Sequence, residues 1–501
     1  MQRGMRRAFL IAVISPGAAL AVAACSVGPD YTPRSAADLG VPPTWSVRAA
    51  PTPEDLTRWW QRFDDPVLGR LVEQAASANL DVAQAIARLR QAREAMIQSR
   101  ASLLPSLSGS GGYSRSETLR GGGQTITLPD GTVQNIGGGG GANNFSLGLS
   151  GSYQLGIFGE VRRTVEASRA DYQASGFDYA TTLLSVEQEV ARNYVLARLY
   201  QAQLANARAS LAIQDDNLEI AGFRVQAGLV SSVDVEQARS QRAQTAASVP
   251  QIEQQYAAAV ARLRVLTGQA PGALRSALAA PRAIPKGPAS VGVGIPADAL
   301  RRRPDVRSAE RTLAAATARI GVAKAQLYPA LAITGNINSN ATSLTGLGDA
   351  ITGGLFAGLT QAIFNGGRLR AQVRSNEAAA DTAFANYKGV VLLALEDIEN
   401  AIVALDSARR RETQFAIAYD AANASAILSR SQYRTGLTDF TTLNQQEAAL
   451  LSAQNGLTQA RSDQATALIA LYDALGGGWD PSVVPQAPER GATPIFATEP
   501  R

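Results

Sequence analysis

The chain has 501 residues, with 47 lysines and arginines against 42 aspartates and glutamates, no histidine and a single cysteine, Cys25. Without histidine there can be no histidine-based acid–base catalysis, Ser-His-Asp triad or Cys/His zinc site, so neither an enzyme nor a metal centre is expected. The small positive charge comes mostly from arginines in a segment that is predicted to be removed, which argues against a nucleic-acid-binding surface.

Residues 1–24 have the plan of a secretory signal peptide: three arginines, a short apolar run and then small residues. The sequence Val22-Ala23-Ala24-Cys25 resembles a bacterial lipobox, which predicts a diacylglycerol and an N-acyl lipid on Cys25 and no other cofactor. Ser26, in place of an aspartate, favours the outer membrane. Residues 25–66 are predicted to form a lipidated, extended arm.

The first structural repeat is predicted to cover residues 67–270. It opens with a helix over about 67–103, followed by strands with strict alternation of apolar and small polar residues. The alternation is clearest over residues 145–157, which carry no charge, and a shorter stretch begins at Leu107. Length and lack of charge suit a membrane β-strand of ~9–11 residues. The glycine-rich segment between the strands, about 119–144, is predicted to be an exposed loop.

A helix without any proline is predicted over residues 161–226, and it carries apolar or alanine side chains every seven residues. These are Leu183, Val190, Ala197, Leu204, Leu211, Leu218 and Val225. Such spacing keeps one seam against a partner helix. After Gly228, Ser231 and Ser232 can cap a return helix to about Leu266, with a bend expected at Pro250.

A proline-rich crossover is predicted over residues 271–297 and a second repeat over 298–475, before a tail, 476–501. The second repeat contains strands at 331–338 and 354–363, a long helix at 367–435 and a return helix at 441–475. Short motifs recur in both halves: Leu104-Pro105 matches Tyr328-Pro329, and Gly228-Leu229 matches Gly436-Leu437. One ancestral unit has therefore been duplicated in tandem.

Four membrane strands per chain are too few to close, because known barrels need at least ~8 and open edges cannot face lipid. Three copies of four strands give a 12-stranded barrel with a wet lumen. The helices would be about 100 Å long at ~1.5 Å per residue. The predicted fold class is a membrane α+β protein: a trimeric 12-stranded β-barrel continued by a long α-helical barrel of coiled-coil helices.

The chain resembles the TolC-like outer-membrane efflux proteins, in particular the NodT/OprM-like lipoprotein branch that serves resistance-nodulation-division pumps. The residues that carry the resemblance are 25–31, 59–66, 79–93, 302–310, 320–324 and 359–368. The resemblance implies a homotrimer, a passive conduit for small toxic molecules from periplasm to outside, a periplasmic adaptor (membrane fusion) protein and an inner-membrane resistance-nodulation-division pump. The charge balance of the chain predicts no nucleic-acid partner.

The resemblance also assigns the site residues at the two hairpin turns. The adaptor-docking tips are Gly228, Leu229, Ser231, Gly436, Leu437 and Thr438. The gate candidates are Tyr433, Arg434, Asp439 and Gln445. Relatives often carry an aspartate nine residues after the second turn glycine; here that position is Gln445, so no acidic ring is predicted at this level. A mere helix turn is the alternative interpretation of both glycines.

Two other functions fit parts of the pattern. The same conduit could serve a type I protein secretion system, against which the lipidated start argues modestly. A coiled-coil lipoprotein without a pore would explain the heptads and Cys25 but not the alternating strands.

Overall fold

A computed structural model describes residues 26–47, 54–117, 119, 124–136 and 141–487. The predicted signal peptide, Cys25 and the last part of the predicted tail lie outside the described residues. The chain divides into two compact units. The first comprises Met1–Thr32, Arg93–Asp171 and Leu313–Ala383; the second comprises Pro33–Ala92, Tyr172–Thr312 and Phe384–Arg501. Each unit therefore takes segments from both predicted repeats.

The described elements come in alternating groups of helices and strands. In chain order they are α1 Pro66–Ala78, α2 Leu80–Ala101, β1 Ser106–Ser116, β2 Gln124–Thr127, β3 Val133–Ile136, β4 Ala142–Leu155, α3 Glu160–Gln226, α4 Ser232–Leu266, α5 Arg275–Ala279, α6 Pro296–Arg302, α7 Pro304–Ala325, β5 Ala330–Ala341, β6 Ile351–Thr360, α8 Arg368–Thr435 and α9 Phe440–Ala474. Short 3₁₀ helices cover Trp59–Phe63 and Leu344–Gly346.

The tandem duplication is visible in the order and length of the elements. Each half has two helices, two long strands, one very long helix and a return helix. The long helices α3 and α8 have 67 and 68 residues, and the return helices α4 and α9 have 35 residues each. The predicted long helices and return helices match these elements to within about one residue at each end, because no proline interrupts α3 or α8 and a glycine follows each.

In the first unit the long strands form one antiparallel sheet in the order β1-β4-β5-β6. Directly opposite residues in antiparallel strands share a face. One face is apolar, as in the row Gly109, Leu149, Ile337 and Gly353. The other is polar, and its hydroxyls pair across the strands: the Oγ atoms of Ser106 and Ser152 lie 2.8 Å apart. The alternation in the sequence thus becomes two chemically different faces.

The N-terminal segment of the first unit is fixed beside the turn that joins β4 to α3. Val27 donates its backbone N–H to the Phe158 carbonyl at 3.2 Å. The buried Arg163 guanidinium bonds Asp30 at 2.6 Å. Gly28 has a φ of 110°, and a Cβ there would lie 2.5 Å from the Cα of Gly321. Only glycine allows this close approach at a positive φ, which explains Gly28 in the first motif that carries the resemblance.

The core of the second unit is aromatic at its centre. Trp59, in the 3₁₀ helix, packs on Tyr472 of α9 with ring centroids 5.5 Å apart. Asp65 caps α1 by accepting from the backbone N–H of Val67 at 2.9 Å. Asp65 also accepts from the Tyr194 hydroxyl at 2.6 Å. This packing fixes the Trp59–Phe63 stretch against α3 and α9.

The Arg-Arg-Pro-Asp-Val-Arg motif fastens the start of the second repeat to its end, at the last residue of α9 and beyond it. Arg303 forms a bidentate pair with Asp305 at 3.0 and 2.7 Å and donates to the Ala474 carbonyl at 3.2 Å. Arg307 donates to the Pro481 carbonyl at 2.7 Å and lies against the rings of Phe177 and Trp479. The motif is thus explained by packing within one chain.

Four details of the predicted elements are wrong. The first helix is interrupted at Asn79, whose backbone is extended, because its amide caps α2 and donates to the Leu266 carbonyl at 2.9 Å. The predicted glycine-rich loop contains the hairpin β2–β3, with Gly131 at a φ of 83° in its turn. The crossover contains the short helix α5, and α6 begins at its last residues. Strand β6 ends at Thr360 rather than at residue 363.

None of the described helices combines the length and the apolar character that a membrane-spanning helix requires.

Candidate functional site

The turns of the two helix hairpins, α3–α4 and α8–α9, lie in the second unit and share one geometry. Gly228 and Gly436 have φ values of 70° and 80°, in the left-handed region that favours glycine. Each following leucine donates its N–H five residues back: Leu229 to Arg224 at 2.9 Å and Leu437 to Gln432 at 2.8 Å. These bonds satisfy carbonyls at the ends of α3 and α8.

Both turns present a leucine to solvent. Leu229 is 69% exposed and Leu437 is 79% exposed. Ser231 is exposed and accepts from the Val233 N–H at 3.3 Å, which caps α4. Thr438 is half-buried. The structure therefore places all six predicted tip residues in the two turns, and each turn exposes a leucine.

Tyr433 is buried at the second turn, and an arginine of the first hairpin contacts it. The ring of Tyr433 is 1% exposed and lies edge-on to Phe440 at 5.9 Å. The guanidinium of Arg224 lies 4.7 Å from the ring centroid, and its Nη1 donates to the Tyr433 carbonyl at 2.9 Å. Burial raises the pKa of the Tyr433 hydroxyl, against the opposing effect of Arg224. Arg224 thus joins the two hairpins.

The other three gate candidates are exposed to solvent. Asp439 caps α9 by accepting from the Thr442 N–H at 2.6 Å, and this hydrogen bond lowers the pKa of its carboxyl. Within the described part of the chain neither Arg434 nor Asp439 forms an ion pair, and the Tyr433 hydroxyl has no hydrogen-bond partner. The structure does not bring Tyr433 and Asp439 together by a hydrogen bond within one chain.

The sequence reasoning missed two features at this end of the hairpins. One is Arg224, although the recurring pair Phe223-Arg224 and Tyr433-Arg434 contained a signal. The other is the ion pair between Arg430 of α8 and Glu447 of α9, in which Glu447 is only 6% exposed. Here too a signal existed, since Glu447 lies between Leu443 and Leu450 on the apolar seam of α9.

Among the described residues no group of three or more histidine, cysteine, aspartate or glutamate side chains is arranged to hold a metal ion. The two turns provide an exposed apolar surface, the buried Tyr433 and the hydrogen bond from Arg224 that joins the two hairpins.

Known proteins are similar to the chain over most of its length. Residues 71–269 and 295–477 match the family model described as outer membrane efflux protein. Nodulation protein T of Rhizobium leguminosarum bv. trifolii is 33% identical over 472 residues, which cover 93% of this chain and 97% of that protein. The pyoverdine export outer membrane protein OpmQ of Pseudomonas aeruginosa is 32% identical and covers 88% of this chain and 92% of its own length.

Solved structures agree with this assignment. The outer-membrane channel OprN has a TM-score of 0.80 and 32% identity, and the match covers 91% of this chain and all of that one. The Campylobacter jejuni CmeC outer membrane channel, at 23% identity and a TM-score of 0.79, shares the fold. The protein is therefore a member of the outer membrane efflux protein family, a family of outer-membrane channels, and it is located in the outer membrane with the fold of an efflux channel.

Proposed function

We propose that three copies of the chain close into a 12-stranded barrel and act as the passive outer-membrane conduit of a tripartite efflux pump for small toxic molecules. The observation that carries the proposal is the sheet β1-β4-β5-β6. It has an apolar face, a polar face and two edges, on β1 and β6, that pair with no other described strand. Unpaired edges cannot be exposed to lipid.

Closure by identical copies satisfies these edges. Three sheets of four strands exceed the ~8 strands of the smallest membrane barrels, whose interiors are filled by side chains. The polar face would line a water-filled lumen, and the apolar face would contact lipid. The tandem repeats, at about 67–270 and 298–475, would supply the strands and the coiled-coil helices of a periplasmic α-barrel.

Single-channel conductance of the purified protein in planar bilayers tests the conduit, with a pair of adjacent substitutions. Leu149→Arg lies on the apolar face and should cost roughly 2–4 kcal/mol near the membrane midplane, so that little protein assembles. Ser150→Arg lies on the polar face and should assemble with altered conductance. Equal loss of assembly in both variants, or no conductance from the wild type, would contradict the barrel.

The partners are proposed to be a periplasmic adaptor (membrane fusion) protein and an inner-membrane resistance-nodulation-division pump. Other relatives support a role in export: they include the probable efflux pump outer membrane protein TtgC and the toluene efflux pump outer membrane protein TtgI of Pseudomonas putida. The adaptor would dock on the tips Gly228, Leu229, Ser231, Gly436, Leu437 and Thr438, whose exposed leucines can bury apolar surface.

The gate is proposed at the second hairpin. Tyr433, Arg434, Asp439 and Gln445 are the candidates, and Arg224 joins them because it holds the Tyr433 carbonyl. The exposed Arg434, Asp439 and Gln445 are available to neighbouring copies in a trimer. Opening would then require the hairpins to separate at Arg224 and at contacts between copies.

Lipidation of Cys25 is proposed as a second membrane attachment. Ser26, the next residue, packs against Gly159 at the start of α3, close to the end of β4: a Cβ at Gly159 would lie 2.7 Å from the Ser26 Oγ. Mass spectrometry of the mature protein should show an acylated N-terminal Cys25. A free thiol with residues 1–24 attached would refute the proposal.

A conduit for type I protein secretion remains the second candidate, since the same channel would fit it. Neighbouring genes for an adaptor and a proton-driven pump, or for an ATP-binding exporter, would decide between them. A coiled-coil lipoprotein without a pore does not fit a member of this family.

A further inference from the structure

The polar face of the sheet has one exception to its chemistry. Along the four long strands this face carries serine, glycine, asparagine, threonine, alanine and glutamine, with no charged side chain. The exception is Phe356 of β6. The register places it in the row Ser106, Ser152, Thr334 and Phe356, so its side chain belongs to the polar face and not to the apolar one.

Phe356 does not pack into a core. Its side chain is 67% exposed, and its neighbours on the same face are the small residues Thr334, Gly354 and Gly358. The ring lies over Gly358, where a Cβ would be 2.6 Å from its Cε1 atom. Glycine at 358 therefore leaves the space that the ring occupies. The alternative to a functional role is a structural one, in which the ring of Phe356 only covers the backbone of Gly358.

We propose that Phe356 is the aromatic, specificity-determining residue of the channel lumen. The inference rests on the proposed trimeric barrel. Closure would place β6 beside β1 of the next copy, whose polar face carries only Ser106, Ser108, Ser110, Gly112, Ser114 and Ser116. No side chain on that face of the strand is large enough to cover the ring. Three copies of Phe356 then project from an uncharged wall at one level of the barrel.

A ring of three Phe356 side chains at one level of the lumen would act on permeating solutes in two ways. The rings narrow the lumen where every other side chain of the row is small. The rings also bury apolar groups from water, and their faces attract cations because an aromatic ring carries negative charge density on its face. Hydroxyl and amide groups on the rest of the wall interact with all hydrated solutes alike. The ligand class that Phe356 distinguishes is therefore apolar and aromatic compounds, cationic ones above all.

Planar-bilayer recordings with adjacent variants test the inference. Phe356→Ala should raise single-channel conductance, and Phe356→Trp should lower it. Leu355→Ala, one residue away on the lipid face, is the matched control and should leave conductance unchanged. Tetraphenylphosphonium is the probe: its half-blocking concentration should rise roughly two- to five-fold in Phe356→Ala, as expected for loss of an exposed cation–π contact.

Thiol accessibility gives a second, independent measurement of the face. Phe356→Cys should react with a water-soluble, charged thiol reagent and lose conductance, whereas Leu355→Cys should not. Wild-type protein, with Cys25 as its one cysteine, reports the background.

The outcomes separate the two levels of the proposal. If wild-type channels conduct but Phe356→Ala and Phe356→Trp match them in conductance and block, the inference is overturned and the conduit stands. If Leu355→Cys reacts and Phe356→Cys does not, the face is inverted and the inference falls. If the wild type does not conduct, the proposed function itself fails.

Discussion

The two hairpin turns descend from one ancestral turn, but the structure treats them differently. Phe223, before the first turn, is 61% exposed, whereas Tyr433, before the second, is 1% exposed. Arg224 reaches across to the second hairpin, whereas Arg434 stays in solvent. The backbone geometry of both turns is the same, so the difference lies entirely in the side chains.

The ion pairs within the hairpins show the same contrast. In the first hairpin Asp215 of α3 and Arg242 of α4 pair at the surface, with half of the Asp215 side chain exposed. In the second hairpin Arg430 and Glu447 pair with Glu447 buried. The buried ion pair thus belongs to the second hairpin, whereas the ion pair of the first hairpin lies at the surface. A duplicated element has kept its shape and acquired a specialised copy, which is the copy expected to carry the gate.

The largest effect is expected from charge at the exposed leucines. Leu229→Arg or Leu437→Arg should reduce drug export to that of a deletion strain, because an arginine cannot bury in the apolar contact proposed with the adaptor. Export is measured as the minimum inhibitory concentration of a pump substrate, with bilayer conductance as the control for an intact channel. Export that persists in one variant alone would show that the adaptor uses only the other tip.

Breaking the buried ion pair should give the largest loss of stability. Glu447→Ala leaves Arg430 without its partner and should cost about 3 kcal/mol, the lower limit for buried pairs, because the Arg430 side chain keeps 24% exposure. Asp215→Ala is the matched control in the first hairpin and should change the melting temperature little, since surface pairs contribute weakly.

A variant that removes both charges tests whether the loss of stability comes from the unpaired Arg430. Arg430→Met with Glu447→Met should recover most of the loss, because no charge is left buried and unpaired. Melting temperatures of the purified protein in detergent are the measurement. Equal shifts for Glu447→Ala and Asp215→Ala would mean that the two hairpins are fastened alike.

A smaller effect is expected at the bond between the hairpins. Arg224→Ala removes the hydrogen bond to the Tyr433 carbonyl and the contact with its ring, and should cost ~1–2 kcal/mol. Arg434→Ala removes a side chain without an ion pair in the described structure and should leave the melting temperature unchanged. If Arg224 also holds the gate, its alanine variant should raise the conductance of the resting channel. If Arg224→Ala changed neither the melting temperature nor the conductance, the hairpins would be joined by packing alone.

The sequence contained most of the fold because its signals are local. A heptad run marked α3, a terminal glycine marked the end of both α3 and α8, and strict alternation marked β4. The break at Asn79 was hidden, because it depends on a bond to the Leu266 carbonyl, 187 residues away. The role of Arg224 was hidden likewise, since its partner is 209 residues away. Composition concealed the hairpin β2–β3 within glycine-rich sequence. The pattern of a single segment does not show which distant residue that segment will contact.

The smallest effect on stability, and the most informative one on gating, is expected at the caps of the return helices. Asp439 accepts from the Thr442 N–H at 2.6 Å, whereas the corresponding bond of Ser231 is 3.3 Å long. Asp439→Ala should lower the melting temperature slightly and Ser231→Ala less still, because each removes only a helix cap at an exposed turn.

Asp439→Asn separates the cap from a latch. Asparagine caps a helix about as well as aspartate, so this variant keeps the fold of the turn and removes only the charge. If the Asp439 carboxylates bind polar groups of neighbouring copies and hold the gate closed, both Asp439→Asn and Asp439→Ala should raise the conductance of the resting trimer, since three weak contacts open together. If Asp439 only caps α9, Asp439→Asn should conduct as the wild type does. In that case the contacts that close the channel would have to come from Arg224 and Tyr433, inside each copy.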